Sequence, residues 1–596
     1  MKSEIQFNPL LVARTLGYLR WEQIFYRPWR VAQSRLYRAF PRLTSRWHDW
    51  PVPPAPRPAP EAGRIIRAVL NHSLPHLNPP VADCAERVDQ MRRGRYTFLN
   101  LTLELNSIDW NRRYASHLWN YHLHYFNQTL WGAHVIAAGG DESAFRYCRN
   151  SIESWIADAR IGLSDGWDPY PLSLRAVNWI YASALIEDGY PDREFLDRWH
   201  SSLYRQLDFL SRHLEFHLLA NHLLKNAKAL VIGGLYFNQP RWLARGEALL
   251  WREFEEQVLA DGGHYERSPS YHAQALADLL EGYALLRAFD RLPRRTEIES
   301  KLRAMAAFLE ALSYPDGTLA LFNDSVNSEE SRPEPILESA GRICAYRRSG
   351  RPTEFRQTGY YLWASPDESE KMIVDAGPPS VPYNAAHAHC DLLSYELRLD
   401  GRPFIVDSGL HGYGGDPFRE YCRSTRAHNT VMIEECEQSE VWGTFRMARR
   451  SRSIRAEAGG NDREWSFQGQ YRPYAHRRLL HHRRIRRGAD GAWHFEDRLI
   501  GDRARRAASF IHLHPEVQAE TCGRRGLTIE CRVGAIRAII KPFAARSVKI
   551  VRGAESPIQG WYFPDFGRAE PSATICLEHL AANGDPFGYE IRWWRS

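Results

Sequence analysis

Between residues 200 and 290 apolar positions recur every three or four residues. In "SSLYRQLDFLSRHLEFHLL", Leu203, Leu207, Leu210 and Leu214 follow at steps of four, three and four, which is one face of a helix. "NHLLKNAKALVIGGLYF" carries the pattern on and is expected to stop at its Gly pair. "RWLARGEALLWREFEEQVLADGG" aligns Leu250, Phe254 and Val258 and places Gly262 near its end. "SYHAQALADLLEGYALLRAF" predicts a further helix. Helices separated by short Gly/Asp/Pro loops, from about 80 to 350, read as stacked helical hairpins, an α/α toroid or a helical solenoid.

After about 355 the period changes to two. Leu393, Tyr395, Leu397 and Leu399 alternate with Ser394, Glu396, Arg398 and Asp400. Asp400-Gly401 and Asp490-Gly491 are hairpin signals, and "SVKIVRG", "LTIECRV" and "AWHFEDRLI" read as short strands. Helices first and strands later predict an all-α domain over 66–354 and an antiparallel β-sandwich over 355–596. Ahead of them, residues 1–65 hold a basic amphipathic segment, "LRWEQIFYRPWRVAQSRLYRAF", and a proline-rich linker, "WPVPPAPRPAPEAG". Packing of the amphipathic segment on the main body is favoured over a membrane-surface role. "HRRLLHHRRIRR" is either an anion-binding face or a solvated sheet face.

Composition narrows the partners. The 596 residues carry a net charge of +7, from 78 basic and 71 acidic residues. That excess leans toward an anionic partner. The 12% aromatic content suits stacking on sugar rings as well as core packing. Nine scattered cysteines without a C-x-x-C spacing exclude a disulfide scaffold and a zinc-finger pattern. No run of about 18 apolar residues predicts a membrane span. The N-terminus lacks the basic, apolar and small-residue order of a signal peptide. Both features point to the cytoplasm, or to the periplasm if a leader is missing.

Candidate chemistry begins at "NAAHAHCDLLSYELRLDGRPFIVDSG", residues 384–409, a hairpin that starts with His387 and His389 and ends on Asp407. "STRAHNTV" adds His428. Two or three imidazoles and a carboxylate make a divalent metal set, with Zn²⁺ first by ligand type and Ca²⁺ second. A two-residue turn at Asp400-Gly401 pairs Asp407 with Ser394, about 17 Å from His389 at ~3.3 Å per residue. The set forms only if the chain before Leu392 curls back.

The helical half offers a second set. "LLANHLLKNA" places Asn221 and His222 mid-helix, where Asn is a mediocre helix former. "GGHYERSPSYHAQAL" is a polar loop holding Glu266, Arg267 and Tyr271, with Ser268-Pro269 as a helix start. "LWNYHLHYFN" adds Trp119, Tyr121 and His124, and "GWDPYPLSLRAVNW" adds Trp167, Arg175 and Asn178. Aromatics, amides and arginine are the materials of a carbohydrate groove.

Four blocks, "ANHLLKNAKALVIGGLYF", "ERSPSYHAQALADLL", "HAHCDLLSYELRLDGRPFIVDSG" and "RSTRAHNTV", in this order, make the chain resemble the heparinase II/III-like polysaccharide lyases from about 100 to 590. The resemblance implies an α/α toroid followed by a β-sandwich, with β-elimination of a uronic-acid polysaccharide in the cleft between them. By position it implies catalytic roles for Asn221, His222, Tyr271 and His387. It also implies a metal held by His389, Asp407 and His428 that organises the strand ends. The family's "H-G-H-A-D" appears here as "HAHCD", with Cys390 in place of a small residue.

The chemistry stands on its own terms. The C5 proton of a uronate becomes acidic when its carboxylate is neutralised by hydrogen bonds, for which Asn221 and His222 are suited. Neutral His387 is a base near pH 7. Tyr271 is an acid, or a base if nearby cations lower its pKa. Two other readings compete: a metal-dependent glycan hydrolase, and a non-catalytic protein that binds polymer in an exopolysaccharide assembly system. Nucleic acid is not an expected partner.

Overall fold

The computed structural model describes residues 8–48, 56–140, 142–186, 190, 192–292, 294–348, 354–523 and 526–596. The first seven residues, the "DWPVPPA" part of the linker region and the stretch just before the expected boundary at 354 lie outside the described residues.

The helical half has two layers. The helices Pro169–Ile186, Ala220–Tyr236 and Pro269–Ala288 are buried on nearly every face. Arg193–Arg212 and Pro240–Gln257 each bury one stripe and leave charged residues outside. Inner helices pack on one another and on their outer partners, which is the layering of an α/α toroid. Much of the aromatic excess lies here: Trp179 meets Trp155 and Trp199 edge to face, all three fully buried.

The Gly233-Gly234 pair does not stop its helix, which runs to Tyr236. A Cβ on Gly233 would lie 2.5 Å from Leu207 Cδ1, and one on Gly234 would lie 2.7 Å from the Leu243 backbone nitrogen. These glycines let two neighbouring elements approach closely, and helix ending is not their role.

The second half is antiparallel. A five-stranded sheet, Glu354–Phe355, Tyr360–Ala364, Lys371–Asp375, Ser394–Leu399 and Arg402–Ile405, stands in that order. One face packs on an eight-stranded sheet through Trp363, Tyr395 and Leu397 against Trp493, Phe495 and Tyr589. A four-stranded sheet extends the same core through Ile511, Ile575 and Leu577. The other face packs on the helical half, where Phe308, Leu312 and Tyr314 meet Tyr360, Leu362 and Ile373.

The Ser394–Leu399 strand is therefore buried at all six positions. Its alternating polar side is the interface between the halves and is shielded from water. Glu396 accepts hydrogen bonds from Tyr314 Oη at 2.6 Å and Leu321 N at 2.9 Å. Arg398 donates to Asp316 at 2.6 Å and stacks over Tyr314. The turn at Asp400-Gly401 has φ of 53° and 71°, as a two-residue hairpin requires. The strands expected at "SVKIVRG", "LTIECRV" and "AWHFEDRLI" are present. In "HRRLLHHRRIRR" the Leu480–Arg487 strand buries Arg483 against Asp497 and turns Arg484 and Arg486 to solvent, so it is a solvated sheet face.

The amphipathic N-terminal segment forms the helices Pro9–Leu16, Trp21–Ala39 and Pro41–Trp47. It spans both halves. Arg14 pairs with Glu440, Arg20 with Glu256, and Trp442 donates to Thr15 Oγ1 at 3.0 Å. Trp21, Phe25 and Trp29 stay exposed on its outer side. Among the described residues no helix is long and apolar enough to cross a membrane.

Candidate functional site

A cleft of about 1390 Å³ lies between the two halves, walled at one side by the N-terminal helices. Asn221, His222, Tyr271 and His387 all line it, brought together from three separate segments.

Asn221 and His222 sit in the first turn of the Ala220–Tyr236 helix, and the expected mid-helix position is corrected. The chain enters through Leu219 and Ala220, both at positive φ (64° and 53°). This strained entry aims the helix N-terminus into the cleft, where its free N–H groups favour an anion. The Asn221 side-chain amide makes no hydrogen bond to any described residue and faces the cleft. His222 Nδ1 lies 3.2 Å from Glu215 Oε1, and its ring lies 4.5 Å from that of Tyr170. Burial works against a charge on Glu215, but His222 and Asn226 outweigh it and hold the carboxyl below its usual range.

Tyr271 is the third residue of the Pro269–Ala288 helix, capped as expected by Ser268, whose Oγ accepts the Tyr271 N–H. Its hydroxyl lies 2.8 Å from that of Tyr413, and its ring lies 4.1 Å from the His387 imidazole. Burial, Tyr413 and the nearby Asp324 charge push the Tyr271 phenol well above its ordinary pKa.

His387 is oriented by a residue that sequence reasoning missed. Asp324, fully buried, lies 2.8 Å from His387 Nδ1 and 2.7 Å from His389 Nε2, and the Arg419 guanidinium grips it through both oxygens. Burial alone would raise the Asp324 pKa. Arg419 and the two imidazoles outweigh it and hold the carboxyl well below the usual range. An ionised carboxylate only accepts, so Nδ1 of His387 is the donor in this pair, which leaves Nε2 as the ring atom available to act as a base. Glu266 Oε1 stands 3.8 Å from that Nε2 and accepts from Asn384 at 3.0 Å.

The chain before Leu392 does curl back. Leu393 has φ of 63°, and Asn323 Oδ1 holds the His389 N–H at 3.1 Å. The His389 and His428 rings are 5.3 Å apart, and one ligand atom from each of His389, Asp391 and His428 lies within 4.8 Å of the others. His389 Nδ1 and His428 Nε2 are buried and have no hydrogen-bond partner among the described residues. Their other ring nitrogens are held by carboxylates, Asp324 and, at 2.7 Å, Asp407. Orphaned imidazole nitrogens with carboxylate-fixed backs fit a divalent metal. Asp391 was not in the expected set. Asp407 stands against His428 from the other side.

The expected substrate contacts divide. Trp119 and Tyr121 line the cleft, and Tyr121 donates to Asp168 at 2.8 Å. His124, Trp167, Arg175, Asn178, Glu266 and Arg267 do not line it and are corrected to structural roles. Arg175 is fully buried over the Trp155 ring, with its donors on Gln206, His124 O and Gly166 O. His124 accepts from Trp155 Nε1, and burial pushes its pKa down to about 3. Trp167 packs on Trp155 and Phe209. Asn178 bonds Tyr125 O and Asn127. Arg267 ties the halves together through Thr358 O and Gln357 O. Beyond Asp324 and Arg419, sequence reasoning also missed Tyr413. Its signal was an aromatic set among Gly412, Gly414 and Gly415.

Comparison with known proteins follows the same division. Residues 91–340 match the family model for the heparinase II/III N-terminus, and residues 347–593 match that for the heparinase II/III-like C-terminal region. The chain is 26% identical over 357 residues to a heparin-sulfate lyase of Pedobacter heparinus, covering 52% of each chain. It thus spans about half the length of the curated relatives it matches. Among solved structures, a heparinase III superposes with a TM-score of 0.67 at 19% identity, over 82% of this chain and 79% of that one. A mutant heparan sulfate lyase of Pedobacter heparinus gives 0.62 at 20%, over 90% and 88%. These structures share the fold.

Proposed function

We propose that this chain, which belongs to the heparinase II/III-like family, is a polysaccharide lyase that cuts a uronic-acid polymer by β-elimination. The observation that carries the reading is the convergence of Asn221, Tyr271 and His387 on one cleft, with His387 fixed by Asp324. The relatives named as heparin-sulfate lyases support an acidic polysaccharide as substrate.

The uronate carboxylate lies at the Asn221 amide and the helix N-terminus behind it, with His222 beside it. Hydrogen bonds there draw charge onto the carboxylate as the C5–H bond breaks. His387 Nε2 takes the C5 proton. The electron pair left on C5 forms the C4=C5 double bond as the C4–O bond breaks, and Tyr271 gives its phenolic proton to the leaving oxygen. Tyr413, in contact with the Tyr271 hydroxyl, is placed to reprotonate it. The raised Tyr271 pKa favours this acid role over a base role.

We further propose a divalent metal, Zn²⁺ in preference to Ca²⁺, held by His389, His428 and a carboxylate of Asp391 or Asp407. Two imidazoles favour zinc over calcium. When bound, the metal would brace the loop that presents His387. His389 and His428 are fully buried, which speaks against the hydrolase reading, since that needs a metal site open to substrate.

The test is incubation with a panel of uronate polymers, followed by ultraviolet absorbance of the unsaturated uronate. The reading predicts product from wild type and none from His387→Ala. Cleavage without the chromophore, or an unchanged rate in His387→Ala, would refute it.

A further inference from the structure

The wall that the N-terminal helices give the cleft is cationic. Arg27, Arg30, Arg35 and Arg38 of the Trp21–Ala39 helix line it, together with Arg446 and Arg450 from the β half. Among the described residues none of these six has a carboxylate within ion-pair distance, whereas Arg14, Arg20 and Arg449, close by, are paired with Glu440, Glu256 and Glu440. Arg446 stands near enough to Arg27 for the two cations to repel one another. Burial and then Arg446 lower the Arg27 pKa, and burial lowers that of Arg450 to about 10. Such a cluster is stable only at a cost that an arriving anion relieves.

The guanidiniums are held in place. Arg27 Nε donates to His217 O at 3.1 Å. Arg450 stacks over Tyr18 at 4.3 Å and donates to Pro382 O at 2.8 Å. Arg446 stacks on Trp442 at 4.7 Å. His217 lies just before Asn221 in the chain, and Pro382 just before His387. The cationic wall is therefore anchored to the two loops that carry the reacting centre. The N-terminal helices, residues 8–48, precede the matched family region, which begins at residue 91.

We propose that Arg27, Arg30, Arg446 and Arg450 form an anion subsite that binds a carboxylate or sulfate of a sugar flanking the one that is cleaved. This rests on the lyase reading for the identity of the polymer. Forked guanidiniums match both oxyanions bidentately. The N-terminal helices then act as part of the substrate-binding surface, which sets the charge density the polymer must carry.

The test uses uncut polymer on inactive protein. Affinity for polygalacturonate, an unsulfated polyuronate, and for heparin, a sulfated one, is measured for His387→Ala with and without Arg27→Gln and Arg30→Gln, at low and high salt. The subsite predicts at least tenfold weaker binding in the triple variant at low salt, narrowing as salt rises. Loss on both polymers assigns the site to carboxylates, and loss on heparin alone assigns it to sulfates. Arg14→Gln together with Arg20→Gln in the same background removes the same two charges at paired positions and is expected to bind within twofold of its parent. Equal affinity of the triple variant, with an unchanged melting temperature, overturns the proposal. If wild type yields no unsaturated product but the affinity gap persists, the lyase reading fails and the subsite stands. Product without a gap is the reverse case.

Discussion

Asp324 Oδ2 lies 2.8 Å from His387 Nδ1, joining the end of the helical half to the first loop of the β half. The same carboxylate holds His389 and Arg419, so one buried charge orients the imidazole proposed as the base and positions the loop of the proposed metal site. Asp324→Asn is expected to lower kcat by about 10²–10⁴-fold, the range of a lost general base. It also strands Arg419 in the interior, for a stability loss of about 3–5 kcal/mol. Steady-state kinetics and thermal melts check both. A variant with normal kcat would remove Asp324 from the mechanism.

Tyr271 gives a pH signature. Its phenol is held well above the ordinary value, so it stays protonated as pH rises through ~10. If it is the acid, kcat has no basic limb below that pH. If it were the base, kcat would climb with pH as the phenol ionised. Tyr271→Phe is expected to cut kcat by ~10²-fold or more while polymer affinity stays near wild type.

The metal proposal is tested by content and melting together. His389→Ala is expected to lose bound zinc and melting temperature in step. Asp391→Asn and Asp407→Asn compared by metal analysis identify the carboxylate ligand. Metal content and stability unchanged in His389→Ala would contradict the bracing role.

Arg175 separates a groove residue from a core residue. Each of its three guanidinium nitrogens donates to a protein acceptor. Arg175→Ala is expected to cost about 3 kcal/mol or more in stability, while the folded fraction keeps its KM for polymer. A raised KM with normal stability would return Arg175 to the groove.

How much of this was legible depends on whether the signal is local. Periodicity carried the helices and the 394–405 hairpin, because spacing alone writes a helix face or a strand. It did not say that Glu396 and Arg398 face Tyr314 and Asp316 across a domain interface, since an alternating strand reads the same whether its polar side meets water or protein. Asn221 was visible as an anomaly among leucines, but its helix starts one residue earlier because of backbone angles at Leu219 and Ala220 that no residue type announces. His124 and Arg175 looked like sugar contacts because polar residues near tryptophans are ambiguous until burial is known. Asp324 gave no pattern at all. Its partners lie more than sixty residues away, and only the fold brings them together.

The account rests on elimination at C5, and oxygen isotope incorporation reads this most directly. Wild-type protein is incubated with a cleavable uronate polymer in heavy-oxygen water, and the new chain ends are weighed by mass spectrometry. Elimination predicts an unsaturated end lighter by one water than a hydrolysed end, with no heavy oxygen taken up. A saturated non-reducing end, with heavy oxygen at C1 of the new reducing end, would mean that water attacked the glycosidic bond, and the roles given to Asn221, Tyr271 and His387 would be wrong.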